Sequence, residues 1–110
     1  MKPYAAYAIG AALVDTEIEV SDEELGAMNV DKGMMTLVDA ARQSEMLAHL
    51  SDRLIRANHA SGGSAGNSMI ATALLGAPTY MSCKVAQDED GDIYLADLEQ
   101  SGVTHGLSHQ

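Results

Sequence analysis

Residues 61–67, Ser-Gly-Gly-Ser-Ala-Gly-Asn, bring three glycines, two serines and an amide together directly ahead of a run of small residues, Ser68 to Leu75. Glycine lets a ligand approach the main chain closely. A helix that opens straight after such a turn offers free N–H groups to a polar or anionic guest. An ordinary tight turn has the same composition, so Gly-Gly alone does not decide. Asn67 favours the ligand, because an amide near the start of that helix can cap it or can both donate to and accept from a hydroxylated guest. The loop lacks the Gly-Lys-Ser/Thr ending that grips β- and γ-phosphates, so it is not a Walker-type loop.

Asp15 is the second residue with chemistry open to it. It begins the wet face of a strand just after Gly10-Ala-Ala-Leu-Val14, where a carboxylate can accept two hydrogen bonds from a vicinal diol. A solvated strand aspartate is the competing reading, and Glu17 and Glu19 fit that role better. The acidic run Asp88-Glu-Asp-Gly-Asp92 fails as a calcium loop. With Gly91 at the sixth position, Ala86 stands first and Asp97 twelfth, where carboxylate and bidentate glutamate are required. These acids instead suit the N-terminus of the last helix, where the helix dipole favours negative charge. His105 and His109 are separated by Gly106 near the chain end and form no helical zinc pair. Met34 and Met35 read as core or lid packing and Cys83 as an inert buried thiol. No histidine has a defined serine or cysteine partner for nucleophilic catalysis, and no metal site is expected.

The elements that must position these residues come from a chain of 110 residues, one domain or part of one. Apolar residues make up 46% of it, enough for a packed core without Phe or Trp. The formal charge of −10 argues against nucleic acid or an anionic membrane as partner. One cysteine excludes an intramolecular disulfide and suits a reducing cytosol. With no signal-peptide pattern and no apolar run near 20 residues, a cytoplasmic location is expected.

Tyr4 to Ile9 reads as a buried strand, and the alternation over residues 14–20 as a strand with one wet face. Ser21-Asp-Glu-Glu24 is a capping box and predicts a short helix to about Met28. Residues 34–38 read as another strand, and Asp39 as the cap of a helix over residues 40–50. Residues 54–60 read as extended. A helix over 68–75 should stop at Gly76 and Pro78. A strand over 79–86 and a helix over about 92–100 follow, with Val103 packing back on Leu98 beyond Gly102. The tail from Thr104 has no pattern and is expected to fray.

In this order, the pieces resemble the amino-terminal third of the PfkB family of carbohydrate kinases, with ribokinase and adenosine kinase relatives as the nearest likeness. Five segments carry the resemblance: Ile9-Gly-Ala-Ala-Leu-Val-Asp15, Asp31-Lys-Gly-Met-Met-Thr-Leu-Val-Asp39, Ser61-Gly-Gly-Ser-Ala-Gly-Asn67, Cys83-Lys-Val-Ala-Gln-Asp-Glu-Asp-Gly91 and Leu95-Ala-Asp-Leu-Glu-Gln-Ser-Gly-Val103. The resemblance implies an α/β fold, a fragment of a ribokinase-like three-layer α/β/α architecture with a small β-sheet lid. It implies that residues 4–10 and 61–103 form the α/β core, and that strands at 14–20, 34–38 and 54–60 form a lid closing over a sugar. Gly62, Gly63 and Asn67 would then hydrogen-bond the acceptor's hydroxyls, and Asp15 would take its diol. ATP and Mg2+ would serve the full-length enzyme. Lid sheets in some relatives pair between subunits, which leaves a homo-oligomer through the lid or the exposed sheet edge open.

Two departures qualify this. Family members usually carry Gly-Asn-Ala where this chain has Gly10-Ala11-Ala12, so one amide contact to the sugar is absent. The family's Asp-Thr-x-Gly-Ala-Gly-Asp motif, which supplies the catalytic base and the anion hole, has no match in the 110 residues. No catalytic residue is therefore assigned, and the chain alone is expected to be inactive. A non-catalytic sugar-binding or oligomerisation module is the alternative.

Overall fold

The computed structural model describes residues 3–53 and 58–106. Its elements are β1 (Ala6–Ile9), β2 (Leu13–Glu17), α1 (Asp22–Ala27), α2 (Ala40–His49), β3 (Asn58–Gly62), α3 (Ser64–Leu74), β4 (Thr79–Ser82), α4 (Glu89–Gln100) and β5 (Val103–Thr104). They fall into two compact units: the residues up to Thr16 with those from His59 on, and the stretch Glu17–Asn58.

The first unit is built on a parallel three-stranded sheet in the order β1-β4-β5, with Ala6 opposite Thr79, Ile9 opposite Ser82, and Thr79 opposite Val103. Parallel neighbours require crossovers, and α3 and α4 supply them. Side chains alternate across each strand. Ala6 and Ala8 of β1 face a core of Met69, Met81, Tyr94, Leu95, Leu98 and Val103. The opposite sheet face carries Tyr7 stacked on Tyr80 at 4.9 Å between ring centres, with Tyr4 set edge-on to Tyr80. Ile9 of β1 is 81% exposed. Burying a leucine-sized side chain is worth about 1.5–3 kcal/mol, so the two helices on one face hold this unit together. The mixed α/β class with a parallel sheet is thus as expected.

Helix boundaries follow their caps. Asp88 caps α4 by accepting the Gly91 N–H at 2.8 Å, and Glu89, Asp90 and Asp92 fill the first turn. The helix therefore starts earlier than residue 92, and the acidic run sits where the dipole favours it. Gly102 (φ 84°) ends α4, and Val103 then joins the core with Leu98. Thr104, expected to fray, lies in β5 because β4 offers it a parallel partner. β4 stops at Ser82, short of the expected residue 86.

In the second unit, Ser21 caps α1 through the Glu24 N–H, and Glu24 returns the bond to the Ser21 N–H at 2.9 Å. Glu24 also pairs with Arg53, whose Nη1 donates to the Glu19 carbonyl at 3.0 Å. Asp39 caps α2 by accepting the Arg42 N–H at 2.8 Å. Residues 34–38, expected as a strand, form none. Met35 and Leu37 are each 86% exposed. An apolar run becomes a strand only when another strand takes its backbone groups, and none does here among the described residues. Residues 54–57 of the expected 54–60 segment lie outside the described residues, and β3 begins at Asn58.

Candidate functional site

β2 and β3 form a separate two-stranded sheet. Across it Thr16 Oγ1 and His59 Nδ1 share a hydrogen bond at 3.1 Å. β3 ends at Gly62, and Gly63 (φ 87°, ψ 148°) turns the chain into α3. Only glycine takes such a φ readily, so the turn needs it at position 63. Gly63 is the N-cap and brings no side chain to the first amides of α3. The helix begins at Ser64 rather than Ser68, which places Asn67 within its first turn instead of at its cap. There the Asn67 backbone N–H donates to the Gly63 carbonyl at 3.0 Å, and the residue is exposed.

Asp15 on β2 meets this turn. A Cβ on Gly62 would stand 2.5 Å from Asp15 Oδ2 and 2.9 Å from Oδ1. Gly62 is buried beneath that carboxylate, while Asp15 itself remains exposed. A Cβ on Gly63 would meet the Ala11 carbonyl at 3.3 Å and Leu13 Cδ1 at 3.4 Å. Asp15, Gly62 and Gly63 therefore share one place. Asn67 lies one helical turn along α3 from Gly63. Ala11, which stands where the family pattern carries an amide, has its carbonyl against Gly63. The Ser68 hydroxyl is directed back to the Ser64 carbonyl at 2.7 Å and so bonds the helix's own backbone.

Sequence reasoning missed Leu13 and Asp97. Asp97 Oδ2 accepts the Ser61 N–H at 2.7 Å. A signal for it existed: it stands three residues after Tyr94 and one before Leu98, at the margin of the buried stripe of α4. Cys83 is half-buried rather than buried, and burial pushes its thiol up from its ordinary range, opposed by the Tyr94 hydroxyl. Desolvation, with the Cys83 thiol beside it, pushes Tyr94 up to about 12. Among the described residues that hydroxyl has no hydrogen-bond partner besides the weakly bonding Cys83 thiol. A cavity of ≈ 250 Å³ lined by Ala12, Leu13, Lys84, Asp88 and Tyr94 lies in the same unit without including Asp15, Gly62, Gly63 or Asn67. His105 bonds Glu99 at 2.9 Å, while His109 lies outside the described residues. Among the described residues no three His, Cys, Asp or Glu side chains gather to hold a metal, and no helix is long and apolar enough to cross a membrane.

A parallel α/β layer of this kind, with the glycine turn feeding its first crossover helix, is the fold of ribokinase-like kinases. The model of the pfkB family of carbohydrate kinases matches residues 27–110, and the chain belongs to that family. It is similar to a probable sugar kinase from Rhizobium etli CFN 42, at 31% identity and a TM-score of 0.77 over 100% of this chain and 32% of that one. It is also similar to adenosine kinase from Sinorhizobium meliloti, at 32% identity and a TM-score of 0.76, covering 99% of this chain and 32% of that one. Adenosine kinase from Schistosoma mansoni in complex with adenosine and AMP shares the fold, with a TM-score of 0.78 at 14% identity over 100% of this chain and 33% of that one. The chain thus spans 32% of the first two structures it matches. No curated protein matches it by sequence.

Proposed function

We propose that this chain forms the acceptor side of an ATP-dependent sugar or nucleoside kinase. In this reading Asp15 accepts two hydroxyls of the acceptor, the Gly62 and Gly63 peptides and the Asn67 amide complete the cradle, and β2 with β3 forms the sheet that shields it from water. The observation that carries the reading is the seat of the Asp15 carboxylate over Gly62, at a distance no other residue type would allow. An exposed carboxylate beside an uncapped helix start suits a neutral polyol better than a phosphate, which the negative charge would repel. The similarity to a probable sugar kinase and to an adenosine kinase supports a sugar or nucleoside as the acceptor.

The resemblance to the family implies ATP with Mg2+, and the residues of this site do not fit that pair. The site's one carboxylate belongs to the acceptor, and the Gly-Ala-Gly-Asp segment is not in the 110 residues. Phosphoryl transfer is mostly positioning and charge neutralisation. In this reading the chain does the positioning of the acceptor, is inactive alone, and works in the cytoplasm as part of a kinase.

Titration calorimetry of the chain with ribose, fructose and adenosine tests the proposal, with thermal melts in parallel. A ligand that binds only the folded state at a hundredfold excess over Kd adds about 2.7 kcal/mol of stability. Binding that Asp15→Ala abolishes supports the reading. Three ligands without heat or thermal shift overturn the acceptor site, and ATP-dependent turnover by the isolated chain overturns its inactivity.

A further inference from the structure

Asp97 belongs to α4, far along the chain from the candidate site, and its carboxylate reaches the site's backbone. Its Oδ2 accepts the N–H of Ser61, the residue immediately ahead of Gly62, at 2.7 Å. The helix around Asp97 is held firmly. Tyr94, Leu95 and Leu98 are buried in the core, and Leu98 is fully enclosed. Asp97 is half-buried beside them. A carboxylate partly withdrawn from water needs donors, and a bond to a charged acceptor is about twice as strong as a neutral one. The core helix therefore grips the main chain one residue before Gly62, while Asp15 covers Gly62 itself.

We propose that Asp97 is a positioning residue of the glycine loop. By holding the Ser61 N–H it sets where the Gly62 and Gly63 peptides meet an acceptor's hydroxyls. The inference rests on the acceptor-site reading for its functional half. Asp97 acts through Ser61, whose N–H it holds.

Asp97→Ala and Asp97→Asn in the 110-residue chain test it by two measurements: amide hydrogen exchange at residues 61–63, and affinity for ribose and adenosine by calorimetry. Asp97→Ala is expected to lose protection at 61–63 alone and to weaken binding about tenfold, whereas Asp97→Asn, which keeps an acceptor oxygen, stays within about threefold on both. If Asp97→Ala does not fold, Asp97→Ser, too short to reach the Ser61 amide, is read in its place. Unchanged protection at 61–63 overturns the proposal, and so does a loss spread equally over α3 and α4, which marks a merely structural role. A parent chain that binds neither ligand overturns the acceptor-site reading instead. The exchange pattern then decides by itself whether Asp97 holds the loop: a local loss sustains it and no change overturns it.

Discussion

The Asp15 carboxylate occupies the space in which a side chain on Gly62 would begin, with Oδ2 2.5 Å from that point. The two residues come from different strands of one small sheet. Gly62→Ala forces Asp15 to move. Asp15 is exposed, so its side chain can swing into solvent and the fold should persist. The expected outcome is a melting temperature within a few degrees of the parent, with binding of ribose or adenosine weakened by about tenfold or more. Circular-dichroism melts and calorimetry on the same preparation check both halves.

Gly66 and Tyr94 form a second close contact, inside the core. A Cβ on Gly66 would stand 2.8 Å from Tyr94 Oη, and Tyr94 is only 1% exposed. Alanine in a helix normally gains about 1 kcal/mol over glycine, but here the buried ring has nowhere to go. Gly66→Ala is expected to cost about 1–3 kcal/mol net through overpacking. Tyr94→Phe removes a buried hydroxyl whose partner among the described residues is the weakly bonding Cys83 thiol, so it should be neutral or stabilise by up to about 1 kcal/mol. In a double-mutant cycle by urea unfolding, Gly66→Ala should cost less in the Tyr94→Phe background. Strict additivity would contradict the contact.

The same tyrosine sets an alkaline limit on stability. Burial and the neighbouring Cys83 raise its folded value from 10.0 to about 12. Between those values the unfolded chain has lost the proton that the folded chain keeps. Stability is therefore fully present below pH 10 and declines as pH rises toward about 12. Cys83, raised from 9.0 chiefly by burial, adds a decline beginning at lower pH. Urea midpoints measured from pH 8 upward should fall in the parent and fall less steeply in Tyr94→Phe.

Glu24 uses its two carboxylate oxygens for different tasks, closing the capping box on the Ser21 N–H and pairing with Arg53. Ser21→Ala removes one half of the box and is expected to cost about 1 kcal/mol. Glu24→Ala removes the other half and the ion pair together, and should cost more. Glu24→Gln, which can keep the capping bond, should fall between the parent and Glu24→Ala, and its difference from the parent should shrink at high salt. Denaturant unfolding at two ionic strengths separates these cases.

Local order was readable where its partners are local. Ser21 with Glu24 and Asp39 with Arg42 each satisfy backbone groups within one helical turn. Residue types at fixed spacing therefore announce them. The start of α3 was misplaced because Asn67 can be read as the cap, while Gly63 makes the turn through its φ of 87° and leaves no side-chain signature. The expected strand at 34–38 failed for another reason. Met34, Met35 and Leu37 have the right composition, but a strand exists only if another backbone pairs with it.

By itself, the sequence determined the caps of α1 and α2, the glycine turn at 62 and 63, the family, and the residue types able to grip a polyol. Tertiary structure alone decided that Asp15 sits on Gly62 and that Asp97 holds Ser61. Ser61 and Asp97 are 36 positions apart, and no periodicity of the chain relates them. Their meeting depends on how α3 and α4 pack on one face of the β1-β4-β5 sheet. Spacing along a chain encodes contacts within a turn or a strand, whereas contacts between elements are set by the core those elements bury together.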